Sequence, residues 1–471
     1  MNPRVLPGAL LLASTAVLAQ SPPAIPRAEL AAFVDSVIRA EMSREHIPGA
    51  AFAFVQHGRV VYMKGFGTAN VARNTRVVPE STIWRIGSIS KLFTATAAMQ
   101  LVDRGLVDLD APIDRYVKRV QIPATYPAPV TLRHLLTHTA GFDEIRPGTQ
   151  AATRDGVLPL DQFLATRLVR LRAPGHTIAY STYGVTLAGE LVEEVANLPF
   201  ETYLQKNIWQ PLGMTRSSIN VPPALANDVA MGYEIAADTL VPQPWEWYHT
   251  TPASSVNATV SDMAQFMLAH LGAAKGDGRL FSQRTAREMQ RQQVTMHPSM
   301  PGYAIGFNED FAGSLRVIEH GGNVAGFSTE MLLIPEADAG FFVANQLEGS
   351  RLRDNLKWAL LERFFPETHT RFPVPPLPAP DVVHAERFAG RYIPLTSCFS
   401  CTPIRASSVM PVTANPDGTL TFAGGRWIQV DSLRFVKEQG TGYIVFSADS
   451  TGAIREVNAG SYWAWHKLQT P

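Results

Sequence analysis

Ser88-Ile89-Ser90-Lys91 stands at the start of an apolar segment whose pattern predicts a helix from Ile89 to Arg104. Three residues make almost one helical turn, so this spacing places the Ser88 hydroxyl and the Lys91 amine on the same side of the helix. A serine hydroxyl becomes a nucleophile when a neighbouring base takes its proton, and a lysine whose pKa is lowered by burial can be that base. The quartet therefore predicts a nucleophilic serine, with an ordinary solvated helix face as the alternative.

Two motifs elsewhere in the chain offer partners for such a nucleophile. Tyr180-Ser181-Thr182 follows a turn at 173–175 and precedes a helix predicted from about 184 to 196, so the Tyr180 phenol could share the serine proton. His320-Gly321-Gly322 is predicted to lie between two short strands, where paired glycines let a substrate approach the backbone closely. Singly, each motif has an alternative, because the tyrosine could be a core aromatic and the glycines an ordinary turn.

The segments around these motifs predict strands at both ends of a large region, with helices between them. This order favours an α+β fold, an antiparallel sheet flanked by helices with a separate helical region, over βαβ repeats. The individual predictions are a helix over 28–45, a hairpin from 51–56 and 59–64, strands at 303–307, 315–319, 326–334 and 340–345, and a helix over about 351–364.

The last part of the chain has a different character. Residues 371–381 are rich in proline and predict an extended linker. Residues 382–471 alternate short apolar runs with Gly-rich and Asn-Pro-Asp-Gly turns, which predicts a separate antiparallel meander or small β-barrel domain. The two cysteines, Cys398 and Cys401, lie among Thr, Ser and Pro residues, so a small structural disulfide is favoured over a redox-active motif.

The N-terminus and the charge balance bear on location and partners. Arg4, an apolar stretch and small residues before Gln20 predict a signal peptide over 1–19, and hence an exported protein, periplasmic or secreted. Lys plus Arg and Asp plus Glu both number 41, which gives no electrostatic reason to expect nucleic acid. No later segment is apolar for long enough to predict a membrane span.

Taken together, the motifs resemble those of the penicillin-recognising serine hydrolases. The chain looks most similar to the branch that contains class C β-lactamases, D-aminopeptidases and serine esterases, over roughly residues 30–365. Ser-x-x-Lys, a Tyr-Ser motif and a His-x-Gly motif occur in the family's order. Three further segments look like landmarks of this branch: His134-Leu135-Leu136-Thr137-His138-Thr139-Ala140-Gly141, Pro211-Leu212-Gly213-Met214 and Ser261-Asp262-Met263-Ala264.

The resemblance implies a role for each matching residue within a hydrolase domain over 25–370. Ser88 would be the acylated nucleophile, Lys91 the amine beside it and Tyr180 the general base, and which of the last two first takes the proton stays open. The backbone N–H groups of Ser88 and Asn323 would form an oxyanion hole. The resemblance also implies substrate contacts for the remaining motif residues, which are Thr182, His320, Gly321 and Gly322. Neither a cofactor nor a metal is expected.

Two departures from the family pattern bear on the substrate. Thr182 stands where the family usually has Asn, and a hydroxyl reaches less far and offers fewer hydrogen bonds than an amide. His320 stands where many members have Lys, and a neutral imidazole binds a carboxylate less firmly. Both changes favour an ester, amide or peptide, including D-amino-acid peptides, over a β-lactam. The C-terminal domain is similar to lipocalin-like domains appended in this branch, and we hypothesise that it limits substrate access.

The sequence disfavours other kinds of catalytic or metal-binding site. His134 and His138 have the spacing of a zinc protease helix, but Leu135 stands where the required Glu would be. No Gly-x-Ser-x-Gly motif is present, which disfavours an α/β-hydrolase. The main alternative is a catalytically silent protein of the same fold that binds cell-wall peptide or a protein partner.

Overall fold

The computed structural model describes residues 23–273, 275–276, 279–366, 385–401, 408–438, 442–461 and 463–468. The predicted signal peptide over 1–19 and the predicted linker over 371–381 lie outside these ranges, as do the positions of the predicted domain boundaries at 370 and 382. Among the helices in the described ranges, none combines the length and the apolar character needed to cross a membrane.

The helices lie mostly between the first and last strands of residues 23–366, which we call the N-terminal region, as the sequence predicts. In chain order the α-helices are α1 (Arg27–Arg44), α2 (Ser90–Asp103), α3 (Leu132–Leu136), α4 (Leu160–Leu164), α5 (Thr182–Ala196), α6 (Phe200–Leu204), α7 (Gln210–Leu212), α8 (Thr251–Ser254), α9 (Val260–Ala273), α10 (Gln283–Gln290) and α11 (Leu352–Phe364). A 3₁₀ turn, Gly87–Ile89, leads directly into α2.

The strands divide into those of the N-terminal region and those of the C-terminal region. The first group is β1 (Gly49–Gln56), β2 (Arg59–Asn70), β3 (Thr75–Arg76), β4 (Ile83–Arg85), β5 (Gln150–Ala151), β6 (Tyr233–Ala236), β7 (Thr239–Pro242), β8 (Trp247–Tyr248), β9 (Asn257–Thr259), β10 (Asn308–Ala312), β11 (Leu315–Val324), β12 (Phe327–Ile334) and β13 (Ala339–Asn345). The second is β14 (Gly390–Pro394), β15 (Met410–Ala414), β16 (Leu420–Phe422), β17 (Gly425–Gln429), β18 (Arg434–Lys437), β19 (Tyr443–Ala448), β20 (Ile454–Ala459) and β21 (Trp463–Lys467).

One antiparallel sheet organises the N-terminal region, in the order β10-β11-β12-β13-β1-β2-β3. Strand β1, an interior strand of this sheet, is buried along its whole length because helices cover both faces of the sheet. Phe52 and Phe54 belong to a core with α1 and α11, whereas the alternating Ala51 and Ala53 belong to a core with α2, α5 and α9. The predicted α+β fold, with strands from both ends of the N-terminal region in one sheet, is confirmed.

Helix α2 is the central helix of the larger core. Every residue from Ser90 to Leu101 is buried, so the helix is apolar or tightly packed all round rather than amphipathic. Phe93 stacks on Phe266 of α9 with ring centroids 4.1 Å apart. This packing fixes the 3₁₀ turn before α2, and with it Ser88.

The C-terminal strands β14 to β21 form a closed antiparallel barrel, which confirms the predicted β domain. Closure leaves no sheet edge exposed and encloses a core of its own. Phe388, Phe435 and Phe446 pack there with ring centroids 4.6–5.5 Å apart. Cys398 and Cys401 are bonded to each other in the loop that follows β14.

Two predicted elements differ from the structure. Residues 303–307 are not a strand, because their apolar side chains lie in the helical core and the edge strand β10 begins only at Asn308. The prediction that His320-Gly321-Gly322 lies between two strands is also wrong. These residues lie inside β11, where they pair with Met331, Glu330 and Thr329 of β12.

A buried ion pair connects the sheet to the last helix of this region. Lys357 of α11 donates hydrogen bonds of 2.8 Å to Glu319 Oε1 and 3.0 Å to Asp310 Oδ2. The Lys357 and Glu319 side chains are each 9% exposed, so removal of the ammonium leaves a buried carboxylate without its charge partner.

Lys357→Met is therefore expected to lower the free energy of unfolding of this domain by about 3–5 kcal/mol, measured by urea denaturation. Lys206→Met, at an exposed position, is the control and should change it by about 0.5 kcal/mol or less. Equal stability of the Lys357 variant and the wild type would mean that the pair contributes nothing.

Candidate active site

Ser88 lies in the 3₁₀ turn Gly87–Ile89 at the N-terminus of α2. Gly87 has φ of 55°, a conformation that glycine adopts without strain. The hydroxyl of Ser90 donates a 2.6 Å hydrogen bond to Gly87 O and accepts one of 2.9 Å from Val256 N, which ties the turn to the chain after α8. Ser88 itself is half-buried and opens onto a cleft.

Lys91 is buried beside Ser88, as the spacing predicts. Its Nζ lies 3.0 Å from Ser88 Oγ and 3.0 Å from Ala253 O. Burial lowers the pKa of Lys91 to about 7, against the opposing effect of the Glu144 carboxylate, which raises it. A substantial fraction of the amine is therefore neutral near pH 7 and able to take a proton.

Tyr180 lies beside Lys91, in the segment before α5. The Lys91 Nζ is 4.9 Å from the centre of the Tyr180 ring. The ring also lies 4.3 Å from the His138 ring, centroid to centroid. His138 Nδ1 accepts a 3.0 Å hydrogen bond from Ser181 N, and His138 O accepts one of 2.8 Å from Ala179 N. His138 therefore holds the backbone on both sides of Tyr180.

A cleft of about 420 Å³ joins the predicted site residues. Ser88, Tyr180, Thr182 and Asn323 all lie on its wall, although they come from three distant parts of the sequence. The structure thus brings together the hydroxyl, the amine and the phenol that the sequence analysis selected. The other residues of the wall are mostly polar and include Glu144, Arg146, Gln150, Glu246, Tyr248, Glu348 and Thr396.

Strand β11 lies directly against the turn that carries Ser88. A Cβ atom on Gly322 would lie 2.0 Å from Ile86 O, so only glycine permits this approach. A Cβ on Gly87 would lie 3.0 Å from Asn323 N, which places that backbone nitrogen beside the turn that carries Ser88. The Asn323 side chain accepts a 2.8 Å hydrogen bond from Ser328 Oγ in its own hairpin. The backbone nitrogen of Asn323 thus lies beside the turn that carries Ser88, whereas its side-chain oxygen is bonded within the hairpin.

His320 lies behind the cleft wall rather than on it. It is 3% exposed, its ring centroid is 6.0 Å from that of Tyr180, and its Nδ1 donates a 2.7 Å hydrogen bond to Gly321 O. Burial, together with the nearby positive charge of Lys91, lowers the pKa of His320 to about 3. The imidazole is therefore neutral at physiological pH and presents no positive charge to a substrate carboxylate.

Glu144 is a site residue that the sequence analysis missed. Its carboxylate lies on the cleft wall, and Oε2 accepts a 2.9 Å hydrogen bond from Thr182 N at the start of α5. Burial raises the pKa of Glu144, whereas the Thr182 hydrogen bond and Lys91 lower it. The signal in the sequence is a pair of acidic residues, Asp143 and Glu144, that follow Phe142 just after the landmark segment that ends at Gly141.

The histidine pair of the landmark segment has two separate roles. His134 forms a capping box at the N-terminus of α3, where its Nδ1 accepts from Thr131 N at 3.2 Å. Its partner His138 packs on Tyr180. Within the described ranges, no group of three or more His, Cys, Asp or Glu side chains is placed to hold a metal ion.

Known proteins resemble the chain in both sequence and fold. It is 24% identical over 319 residues to Protein flp of Staphylococcus aureus strain N315, covering 67% of this chain and 62% of that protein. It is 28% identical over 236 residues to a β-lactamase of Escherichia coli K12, covering 49% of this chain and 58% of that one. The chain thus spans less than two thirds of the length of either relative.

Solved structures share the fold over almost the whole chain. The octameric penicillin-binding protein homologue from Pyrococcus abyssi superposes with a TM-score of 0.62 at 24% identity, and SurE with 0.67 at 20% identity. Each covers 93% of this chain and all of the solved one. The Beta-lactamase family model matches residues 34–363, which contain every predicted site residue, and supports activity of the serine hydrolase type in general. The chain belongs to the β-lactamase family.

Proposed function

We propose that the protein is an exported serine hydrolase that forms an acyl-enzyme on Ser88 and acts on an ester, amide or peptide. The observation that carries the proposal is the 3.0 Å contact between the Ser88 hydroxyl and a buried amine whose pKa is near 7. An amine of ordinary pKa would be protonated and unable to activate the serine. The apolar N-terminal segment supports export, as does the disulfide between Cys398 and Cys401.

In the proposed reaction Ser88 Oγ bonds to the carbonyl carbon of the substrate while its proton passes to Lys91 or Tyr180. The N–H groups of Ser88 and Asn323 stabilise the oxyanion that forms. The bond from the carbonyl carbon to the leaving oxygen or nitrogen then breaks, and the leaving group takes the stored proton. Water, deprotonated by the same pair, then attacks the carbonyl carbon of the acyl-enzyme. The bond from that carbon to Ser88 Oγ breaks, Ser88 Oγ takes the proton back from the pair, and the acid is released.

The charge of the site bears on the substrate. Class C enzymes and their relatives often use a cation where this chain has His320, and here that imidazole is buried and neutral. Thr182, on the cleft wall, supplies one hydroxyl in place of an amide. We infer that esters and peptides are better substrates than β-lactams. A structure of SurE was solved with D-Leu, which makes D-amino-acid peptides a class to test first among the peptides.

Labelling the protein with a fluorophosphonate, followed by mass spectrometry, tests the acyl-enzyme. We expect one adduct, on the peptide that contains Ser88. Folded protein that carries no adduct there would favour the alternative, a silent protein that binds cell-wall peptide or a protein partner.

Comparing a p-nitrophenyl ester with a chromogenic cephalosporin tests the substrate class. We expect kcat/KM for the ester to exceed that for the cephalosporin by at least about tenfold. The reason is that His320 is neutral and therefore offers no positive charge to bind the carboxylate of the cephalosporin. The Thr182→Asn variant, which restores the usual family amide, should narrow this ratio. A faster cephalosporin rate in the wild type would overturn the preference.

A further inference from the structure

The loop after β14 leaves the barrel and contacts the hydrolase domain. We call Leu395–Cys401 the disulfide loop, because Cys398 and Cys401 are bonded within it. Phe399 N and Ser400 N each donate a 2.9 Å hydrogen bond to the carboxylate of Asp143, and Ser400 Oγ donates one of 2.6 Å. Asp143 is buried, so these three donors satisfy a carboxylate that is otherwise removed from water.

Apolar and charged contacts hold the same loop from a second side. Leu395 and Phe399 pack with Ala179 of the hydrolase domain. The Arg172 guanidinium lies 5.1 Å from the centre of the Phe399 ring and 3.7 Å from Glu456 of β20. These groups are partly or fully buried, where cation–π and ionic contacts are strongest.

The two anchor points adjoin residues of the site. Asp143 directly precedes Glu144, whose carboxylate raises the pKa of Lys91 against the effect of burial, and Ala179 directly precedes Tyr180. Between the anchors, Thr396 reaches the cleft and lines it together with Ser88 and Tyr180. The barrel therefore contributes a side chain to the wall of the cleft in which Ser88 lies.

We propose that the disulfide loop is a fixed wall of the substrate cleft, that Thr396 is a specificity-determining residue, and that Asp143 and the Cys398–Cys401 bond position it. This rests on the proposed hydrolase function and identifies which part of the barrel limits access. The bond closes a short ring that holds the Phe399 and Ser400 N–H groups towards one carboxylate, and without it the loop has many more conformations. Reduction of the bond therefore widens the range of substrates that the cleft accepts.

Measuring kcat/KM on p-nitrophenyl esters of increasing acyl size tests the proposal. Thr396→Trp narrows the cleft and should lower kcat/KM for the largest ester by about tenfold or more, with a change of about threefold or less for the acetate. The double variant Cys398→Ser/Cys401→Ser and the single variant Asp143→Asn should have the opposite effect. Each should raise kcat/KM for the largest ester relative to kcat/KM for the acetate. Dithiothreitol should reproduce this rise in the wild type and have no effect on the double cysteine variant.

Asp449→Asn is the matched control. Asp449 binds Thr451 N and Ala453 N in a barrel turn as Asp143 binds the disulfide loop, but it does not line the cleft. In the Asp449→Asn variant, the ratio of kcat/KM for the largest ester to kcat/KM for the acetate should equal that of the wild type. Unchanged ratios in the Thr396 and cysteine variants, with Ser88 still labelled by a fluorophosphonate, would overturn this inference alone. A wild type that is not labelled at Ser88 would overturn the hydrolase function and this inference with it.

Discussion

Replacing Ser88 by Ala is expected to lower kcat/KM for a p-nitrophenyl ester by about 10⁴-fold or more, because no covalent intermediate can form. The hydroxyl is half-buried, lies 3.0 Å from the Lys91 amine and opens onto the cleft. It is held in a turn at the N-terminus of a fully packed helix, so the loss of one oxygen removes the nucleophile and leaves the turn in place. Initial rates on purified protein measure the effect.

Two controls make this result specific to the nucleophile. Ser43→Ala, at an exposed position of α1, should leave the rate unchanged. The midpoint of thermal unfolding of the Ser88→Ala protein should lie close to that of the wild type, which shows that the fold is intact. If the variant kept most of its activity, the nucleophile would have to be a different hydroxyl of the cleft, for example that of Ser254.

The sequence predicts much of this site because its strongest signals are local. The Ser88 to Lys91 spacing depends only on helix geometry, and the hairpin that becomes β1 and β2 depends on two apolar runs around a short turn. The barrel is likewise visible in its short strands and Gly-rich turns. Such features require no knowledge of which distant segments meet.

The features of the fold and site that the sequence does not predict depend on contacts between distant segments. Local sequence patterns do not indicate which distant segments meet. Glu144 belongs to the site because its loop folds against Thr182 and Lys91, and its position just after the landmark segment does not by itself predict these contacts. His320 looks like a loop residue beside two glycines, yet register with β12 places it inside a strand. The contact between the disulfide loop and Asp143 joins residues more than two hundred positions apart.

The pH dependence of acylation is expected to follow Lys91. Burial lowers its pKa to about 7, so the neutral amine, which can accept the Ser88 proton, increases as the pH rises through that value. The rate constant kcat/KM for a neutral ester should therefore rise with a midpoint near pH 7 and level off above it. His138 and His320 do not account for such a midpoint, since burial lowers the pKa of both well below this range.

Changing Glu144 to Gln is expected to shift that midpoint to lower pH, by about one unit. The sign follows from the charge: the Glu144 carboxylate stabilises the Lys91 ammonium and raises its pKa, so a neutral amide in its place lowers the pKa further. Glu246→Gln is the matched control, because Glu246 lies on the same cleft wall and is not among the groups that shift Lys91. Its midpoint should stay at that of the wild type.

Changing Lys91 to Arg removes the proposed base, because a guanidinium keeps its proton throughout the pH range around 7. The variant should lose at least about 10³-fold in kcat/KM and show no rise near pH 7. If the rise persisted in Lys91→Arg, the titrating group would have to be one other than Lys91, and Tyr180, whose ring lies 4.9 Å from the amine, would be the proton acceptor to examine. If instead the Glu144 variant shifted the midpoint upwards, the coupling between the carboxylate and the amine would be the reverse of the one that their positions imply.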